Sequence, residues 1–367
     1  MSKFNIICFA IIKAMCPEEP FSGPAYQLVL FWCDCTTFEE TSVRLFDPMI
    51  PNILASLGSQ AAVLEAAGWT VRMTGKRIYE PVERKVAVDR LVSLVSKLAR
   101  CGVVSLHDAP DFMLSMFFIA LDRSTSAELR SHIIVAIELL GQTLSGSGDG
   151  PIDIEVSVCS KILQFAKDLS PLNRAYLLSL MPGGCPSTGR IVRWLANCLL
   201  LNTDMPSPAS YKSLPPLSPI VDLLSPPTGS GDLFDIIGNL ETVNYYDDLV
   251  CHIDILSKVL NDVEAYVALE NGIRLEAAST EVAESESTSP QKGSSSREAP
   301  PTRLEQIKAV LDGLHGKIVD TRAAHLDRSR AKAALQRLSF RLYYQRTASL
   351  RSGKPRNLHG YFGQSRK

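Results

Sequence analysis

The sequence predicts an all-α protein, built as an irregular, solenoid-like stack of antiparallel helices. Three observations lead there. Apolar residues recur three and four positions apart through most of the chain from Pro48 onward. Aromatic content is low at 7%, and Leu, Ala, Ile and Val fill the periodic positions, a balance that favours helix packed on helix. No long run of alternating β-branched residues sits between turn signals, so a large sheet is disfavoured. The helices show no fixed repeat period, which argues against a regular tetratricopeptide or ankyrin array. At 367 residues the chain can bury a substantial core, and its length suggests about two domains.

Residues 1–45 have no clean periodicity and form an N-terminal segment of uncertain structure. Phe4 to Ile12 is apolar between Lys3 and Lys13, in the manner of a weak secretory signal. Pro17-Glu18-Glu19-Pro20 follows with no convincing small-residue cleavage site, and the stretch is far shorter than the roughly 20 residues of a membrane span. A buried segment or a misplaced gene start accounts for it better.

A helical scaffold follows over 46–275. Pro51 to Ala67 is one helix. Lys85 to Arg100 carries Val88, Leu91, Val95 and Leu98 at helical spacing. Ala109 to Leu121 is apolar nearly all round and should be buried on most sides. A helix starts near Thr125, with Glu128 completing a capping box and Leu129, Ile133, Ile137, Leu140 and Leu144 forming its stripe. Gly141 to Pro151 reads as a Gly/Ser loop, and Ile154, Val158, Ile162, Phe165 and Leu169 as the next stripe. Pro171 to Met181 and Thr188 to Leu201 are shorter helices about Pro182-Gly183-Gly184. Residues 202–231, rich in Pro and Ser, break the helical run.

Tyr245 to Leu269 reads as one long helix, with Leu249, Ile253, Leu256, Leu260, Val263 and Val267 spaced alternately four and three; packing of one face on neighbours suits it better than a coiled coil. Residues 276–301 are Ser, Thr, Glu and Pro with almost nothing apolar, the composition of a disordered linker. A C-terminal helix pair spans 302–348. Thr302 and Glu305 make a capping box for a helix lined by Leu304, Ile307, Leu311, Leu314 and Ile318. The last helix runs from about Asp327 to Arg346 on Ala331, Leu335, Leu338 and Leu342. A flexible basic tail over 349–367 completes the chain.

No catalytic motif with weight is present: no GxxxxGK[ST], no HExxH and no GxSxG. Gly146-Ser147-Gly148-Asp149-Gly150 lacks a strand-then-helix context and is a loop. Six histidines lie far apart. Nine cysteines, an odd number scattered along the chain and partly inside helical stripes, fit a reducing compartment, and Cys33 with Cys35 lacks the spacing of a zinc pair. The reading is therefore of a protein that is not an enzyme and takes no metal or cofactor.

The candidate site is the C-terminus. Thirty-eight Lys and Arg face thirty-nine Asp and Glu over the whole chain, yet Asp327 is the last acidic residue. Arg330, Arg337 and Arg341 line up about 100° around the last helix from its apolar stripe, with Tyr344 alongside. Arg346, Arg351, Lys354 and Arg356 extend the basic surface. Guanidinium forks grip phosphate oxygens bidentately, so this set suits an acidic partner, including the backbone of DNA, without base readout. Because the row stands off the docking stripe, replacing Arg330, Arg337 and Arg341 together by Ala is expected to weaken binding and leave thermal stability nearly unchanged.

Leu304-Glu305-Gln306-Ile307 through Gly316-Lys317-Ile318-Val319-Asp320, then His325-Leu326-Asp327-Arg328-Ser329-Arg330-Ala331-Lys332, Leu335-Gln336-Arg337-Leu338 and Arg341-Leu342-Tyr343-Tyr344, resemble the end of the CANIN domain. Phe112 to Asp122 and Tyr245 to Leu260 are compatible earlier pieces. That domain occurs in non-SMC subunits and localisation factors of the Smc five-six chromosome-maintenance complex. The resemblance implies a nuclear, α-helical, non-enzymatic subunit that pairs with a second helical non-SMC subunit and recruits or loads the Smc ring at damaged or replicating DNA. No stretch of the sequence is read as spanning a membrane, and no membrane partner is expected. The apolar, Cys-rich start differs from the long polar N-terminal region usual in that family. The alternative is a helical adaptor with an unrelated protein partner.

Overall fold

The computed structural model describes residues 10–15, 20–35, 49–71, 79–145, 152–285, 300–319 and 326–352, with the backbone alone at 35, 276–285 and 352. Among the described residues every regular element is a helix. The chain divides into two compact units between Ser213 and Leu214, inside the Pro/Ser-rich stretch.

The first unit carries α1 (Ser22–Cys35), α2 (Met49–Ser56), α3 (Ala61–Ala66), α4 (Pro81–Arg100), α5 (Ala109–Leu121), α6 (Ala127–Ser145), α7 (Ile152–Ala166), α8 (Pro171–Ser179), α9 (Pro186–Leu201) and α10 (Pro208–Tyr211). Its packing runs between helices one to three places apart in the chain: α4 on α6, α5 on α6 and α7, α9 on α6, α7 and α8. The apolar α5 is at the centre, with Phe112, Met113, Met116 and Phe117 fully enclosed. The described residues 10–15 are packed as well. Ile11 and Ala14 are buried, Arg90 donates to the Ala14 carbonyl at 2.8 Å, and α1 lies against α4.

Several boundaries differ from the sequence reading. The single 51–67 helix is two, because the chain turns at Gly58 with φ +97°. The cap of α6 is Ser126, whose hydroxyl accepts from the Leu129 amide at 3.2 Å; Thr125 instead donates back to the Ile119 carbonyl. The same helix continues through Gly141 to Ser145, where a loop was expected. Gly141 lies close against α9: a Cβ there would come within 2.2 Å of Thr188 Cγ2. Residues 146–151 of that expected loop lie outside the described residues.

The second unit carries α11 (Ser218–Leu224), α12 (Tyr245–Val259), α13 (Val263–Ser285), α14 (Arg303–Lys317) and α15 (Leu326–Ser352). α15 packs across α12, α13 and α14, and α11 packs on α14. The expected 245–269 helix is broken at Leu260–Asp262. Asp262 accepts the Ala265 amide on Oδ1 at 3.1 Å and starts α13 anew. α13 then continues to Ser285, so the first ten residues of the stretch expected to be a disordered linker are helical; 286–299 lie outside the described residues. Before α12, a loop is pinned by Asp235, which is 3% exposed and accepts the Gly231 amide at 3.1 Å.

Candidate functional site

α15 is anchored by one stripe. Ala331, Ala334, Leu335, Leu338 and Leu342 are all buried, at 4% exposure or less. Ser339, between them, donates to Asp312 Oδ1 of α14 at 2.5 Å. α14 is itself set by the predicted capping box. The Glu305 amide donates to Thr302 Oγ1 at 3.2 Å, and the Thr302 amide to Glu305 Oε2 at 2.7 Å.

The basic residues divide into three groups. Arg330 Nη1 pairs with Asp247 Oδ1 of α12 at 3.1 Å, with both side chains largely in water. Arg346 Nη2 pairs with Glu305 Oε1 at 2.5 Å. Burial would raise the Glu305 carboxyl, but the Thr302 amide and hydroxyl with the Arg346 and Arg274 guanidinium groups outweigh it and hold it below its ordinary range.

Arg341 is a correction to the free Arg row. It turns inward and donates through Nη2 to the Ser257 carbonyl at 2.7 Å and the Leu260 carbonyl at 3.3 Å. These are carbonyls at the end of α12, where no further turn of helix supplies amides and a cation is favoured by the helix dipole. Burial lowers the Arg341 guanidinium from its ordinary value. The side chain is a structural clamp, so the triple Ala replacement is now expected to cost stability through Arg341 and not to leave it nearly unchanged.

Arg337 and Arg351 are exposed. Arg337 lies near enough to Asp254 to oppose the rise that burial imposes on that carboxyl. Lys354 and Arg356 lie outside the described residues. The helix itself continues to Ser352, six residues past the end expected at Arg346.

Only Tyr344 was marked as an aromatic neighbour of the basic row. The outward face also carries Phe340 and Tyr343: Phe340 is 53% exposed, Tyr343 49% and Tyr344 67%. Tyr343 and Tyr344 meet edge to face with centroids 5.3 Å apart, and Phe340 and Tyr344 do so at 6.5 Å. Heptad-style inspection for a buried stripe passes over aromatics on the opposite side; plotting the exposed positions of the same helix finds them.

The first unit holds a buried polar cluster that sequence inspection missed. Glu155, 2% exposed, accepts Ser187 Oγ on Oε1 at 2.6 Å and is gripped by Arg190 at 2.7 Å and 3.0 Å. The Tyr211 hydroxyl lies 3.7 Å from Cys159 Sγ, and burial pushes both groups up, away from the ionised forms a nucleophile needs. Two clefts of about 420 and 440 Å³ open on the same unit; in each a cation is already paired, Lys167 with Asp204 and Arg84 with Asp122. Among the described residues no group of three or more His, Cys, Asp or Glu could hold a metal ion, and no helix is long and apolar enough to cross a membrane. His252 bonds the Asp248 carbonyl of its own helix through Nδ1 at 2.7 Å.

No family model, no curated protein and no solved structure matches this chain.

Proposed function

We propose that this chain is a non-enzymatic helical scaffold subunit or recruitment factor of the Smc five-six complex. It would act in the nucleus, in chromosome maintenance and DNA repair, beside a second helical non-SMC subunit. The observation that carries this reading is the construction of the C-terminal helix pair. Of the stretch that resembles the end of the CANIN domain, Leu304 to Lys317 falls on the capped α14 and Leu326 to Tyr344 on α15. There, one stripe of α15 is committed to packing while the opposite face keeps Arg337, Phe340, Tyr344 and Arg351 in solvent. An anchored helix with an exposed arginine–aromatic face is suited to binding, because its backbone entropy is already spent before a partner arrives.

The test is affinity purification of the full chain from nuclear extract, followed by mass spectrometry. Smc and non-SMC subunits should co-purify with the chain. Their absence, with an unrelated set of partners in their place, would transfer the chain to the class of helical adaptors.

A further inference from the structure

We infer that the outward face of α15 is a stacking platform for single-stranded DNA. At 100° per residue, Arg330, Arg337, Phe340, Tyr344 and Arg351 fall within an arc of about 80°, with Arg330 and Arg337 on the flank about 110–130° from the buried stripe and the other three about 150–170° from it. From Arg337 to Arg351 the face runs about 21 Å along the helix. It therefore sets two aromatic rings, Phe340 and Tyr344, between guanidinium groups over the length of several nucleotides.

Each half of that pattern has a separate consequence. The arginines supply charge for a polyanion, and Arg328 to Lys367 holds no Asp or Glu; the carboxylates that face the row belong to α12, Asp247 at Arg330 and Asp254 near Arg337. Arg330 is available despite its partner, since an ion pair with both groups this exposed, 67% and 52%, is worth little and exchanges readily. Arg341 is excluded, because it clamps α12. Charge alone would serve duplex and single strand alike. The aromatics decide between them. In a duplex the base faces are stacked on each other and hidden, so Phe340 and Tyr344 would gain nothing. An unpaired strand offers those faces, and rings beside a positively charged track are the elements that bind it. The edge-to-face contact of Phe340 with Tyr344 holds each ring in place while most of its surface stays in water. An acidic protein segment would satisfy the arginines and leave the rings unused.

The commitment to DNA over RNA rests on the chromosome-maintenance reading above; the preference for single strands rests on the face alone. Fluorescence anisotropy on the full chain tests both, using labelled oligo-dT, a duplex of the same length, oligo-U and polyglutamate as competitor. Oligo-dT should bind more tightly than duplex or oligo-U, and polyglutamate should compete poorly. Replacing Phe340 and Tyr344 together by Ala should weaken oligo-dT binding about tenfold or more and abolish the preference over duplex, with the salt dependence kept. Replacing Arg337 and Arg351 by Gln should lower the slope of log affinity against log salt by about 0.7 per lost phosphate contact. Circular dichroism melts identical to the parent keep the comparison clean, since all four positions are exposed. Equal or tighter duplex binding, an aromatic double variant that binds as the parent does, displacement by polyglutamate, or no binding at low salt would each overturn the platform. Preference for oligo-U would overturn the DNA assignment. Co-purification of Smc subunits is read independently, so loss of the complex and loss of the platform are separate results.

Discussion

Arg346 Nη2 lies 2.5 Å from Glu305 Oε1 and ties the last turns of α15 to the capped start of α14. Glu305 thereby serves two elements at once, because its other oxygen accepts the Thr302 amide. Replacing Glu305 by Ala should lower stability by about 1–2 kcal/mol, a figure that combines a lost capping box with a half-exposed ion pair. The pH dependence has a defined sign. The folded carboxyl titrates below its unfolded value of about 4.3, so its contribution is present above that pH and disappears as pH falls through the folded pKa. Urea melts of the parent and of Glu305→Gln should therefore converge as the buffer is taken below about pH 4. A difference that stayed constant down to pH 2 would mean the cap, not the charge, is what matters.

Arg341 and Arg337 are neighbours on one helix with different fates. Arg341→Ala should cost about 1–2 kcal/mol, because two carbonyls at the end of α12 lose a charged donor. Arg337→Ala should stay within about 0.5 kcal/mol of the parent. The triple variant with Arg330 should melt like Arg341→Ala alone. Denaturant titration of the four proteins settles this, and equal melts throughout would remove the clamp.

Leu338 is 4% exposed between α15 and its neighbours. Leu338→Asp places a lone carboxylate in that apolar contact and should cost about 3 kcal/mol or more. Limited proteolysis should then cut within α15, whereas Phe340→Asp, on the outward side, should leave the helix as resistant as before.

Glu155 takes two hydrogen bonds and its countercharge from Arg190, beside the one from Ser187. Arg190→Ala leaves the carboxylate buried and unpaired, at a cost of about 3 kcal/mol; the figure is at the low end because the outer edge of Arg190 meets water. The double variant with Glu155→Gln should recover much of that loss in a thermal melt.

Asp235 gathers backbone amides, and Gly238 sits against it: a Cβ at 238 would lie 2.3 Å from Asp235 Oδ2. Gly238→Ala should push the carboxylate out of its cradle and raise amide hydrogen exchange at Gly231. Unchanged exchange there would show that the loop is held by other contacts.

Much of the helical order was legible in the chain. The stripe of Ala331, Leu335, Leu338 and Leu342, the near-total burial of α5 and the Thr302–Glu305 box are local periodicities and local hydrogen bonds, and each follows from residues a few positions apart. Boundaries were legible less often. Leu249 to Val267 keeps apolar spacing straight through a break, because spacing reports which face is buried and not whether the backbone between stays helical. The exposed aromatics were visible too, but only by plotting the face that does not pack.

The sequence by itself determined an all-helical chain, a capped terminal pair and a one-signed end, since all three depend on residue type and short-range spacing. Only the tertiary structure decided which arginines face the solvent. α12 ends at Val259 with Leu260 as its cap; α15 packs against α12, and Arg341 turns inward to the carbonyls of Ser257 and Leu260. Arg337, one turn earlier on the same row, meets no such carbonyls and stays exposed. A long-range contact chose between two identical side chains, and no local pattern carries that information.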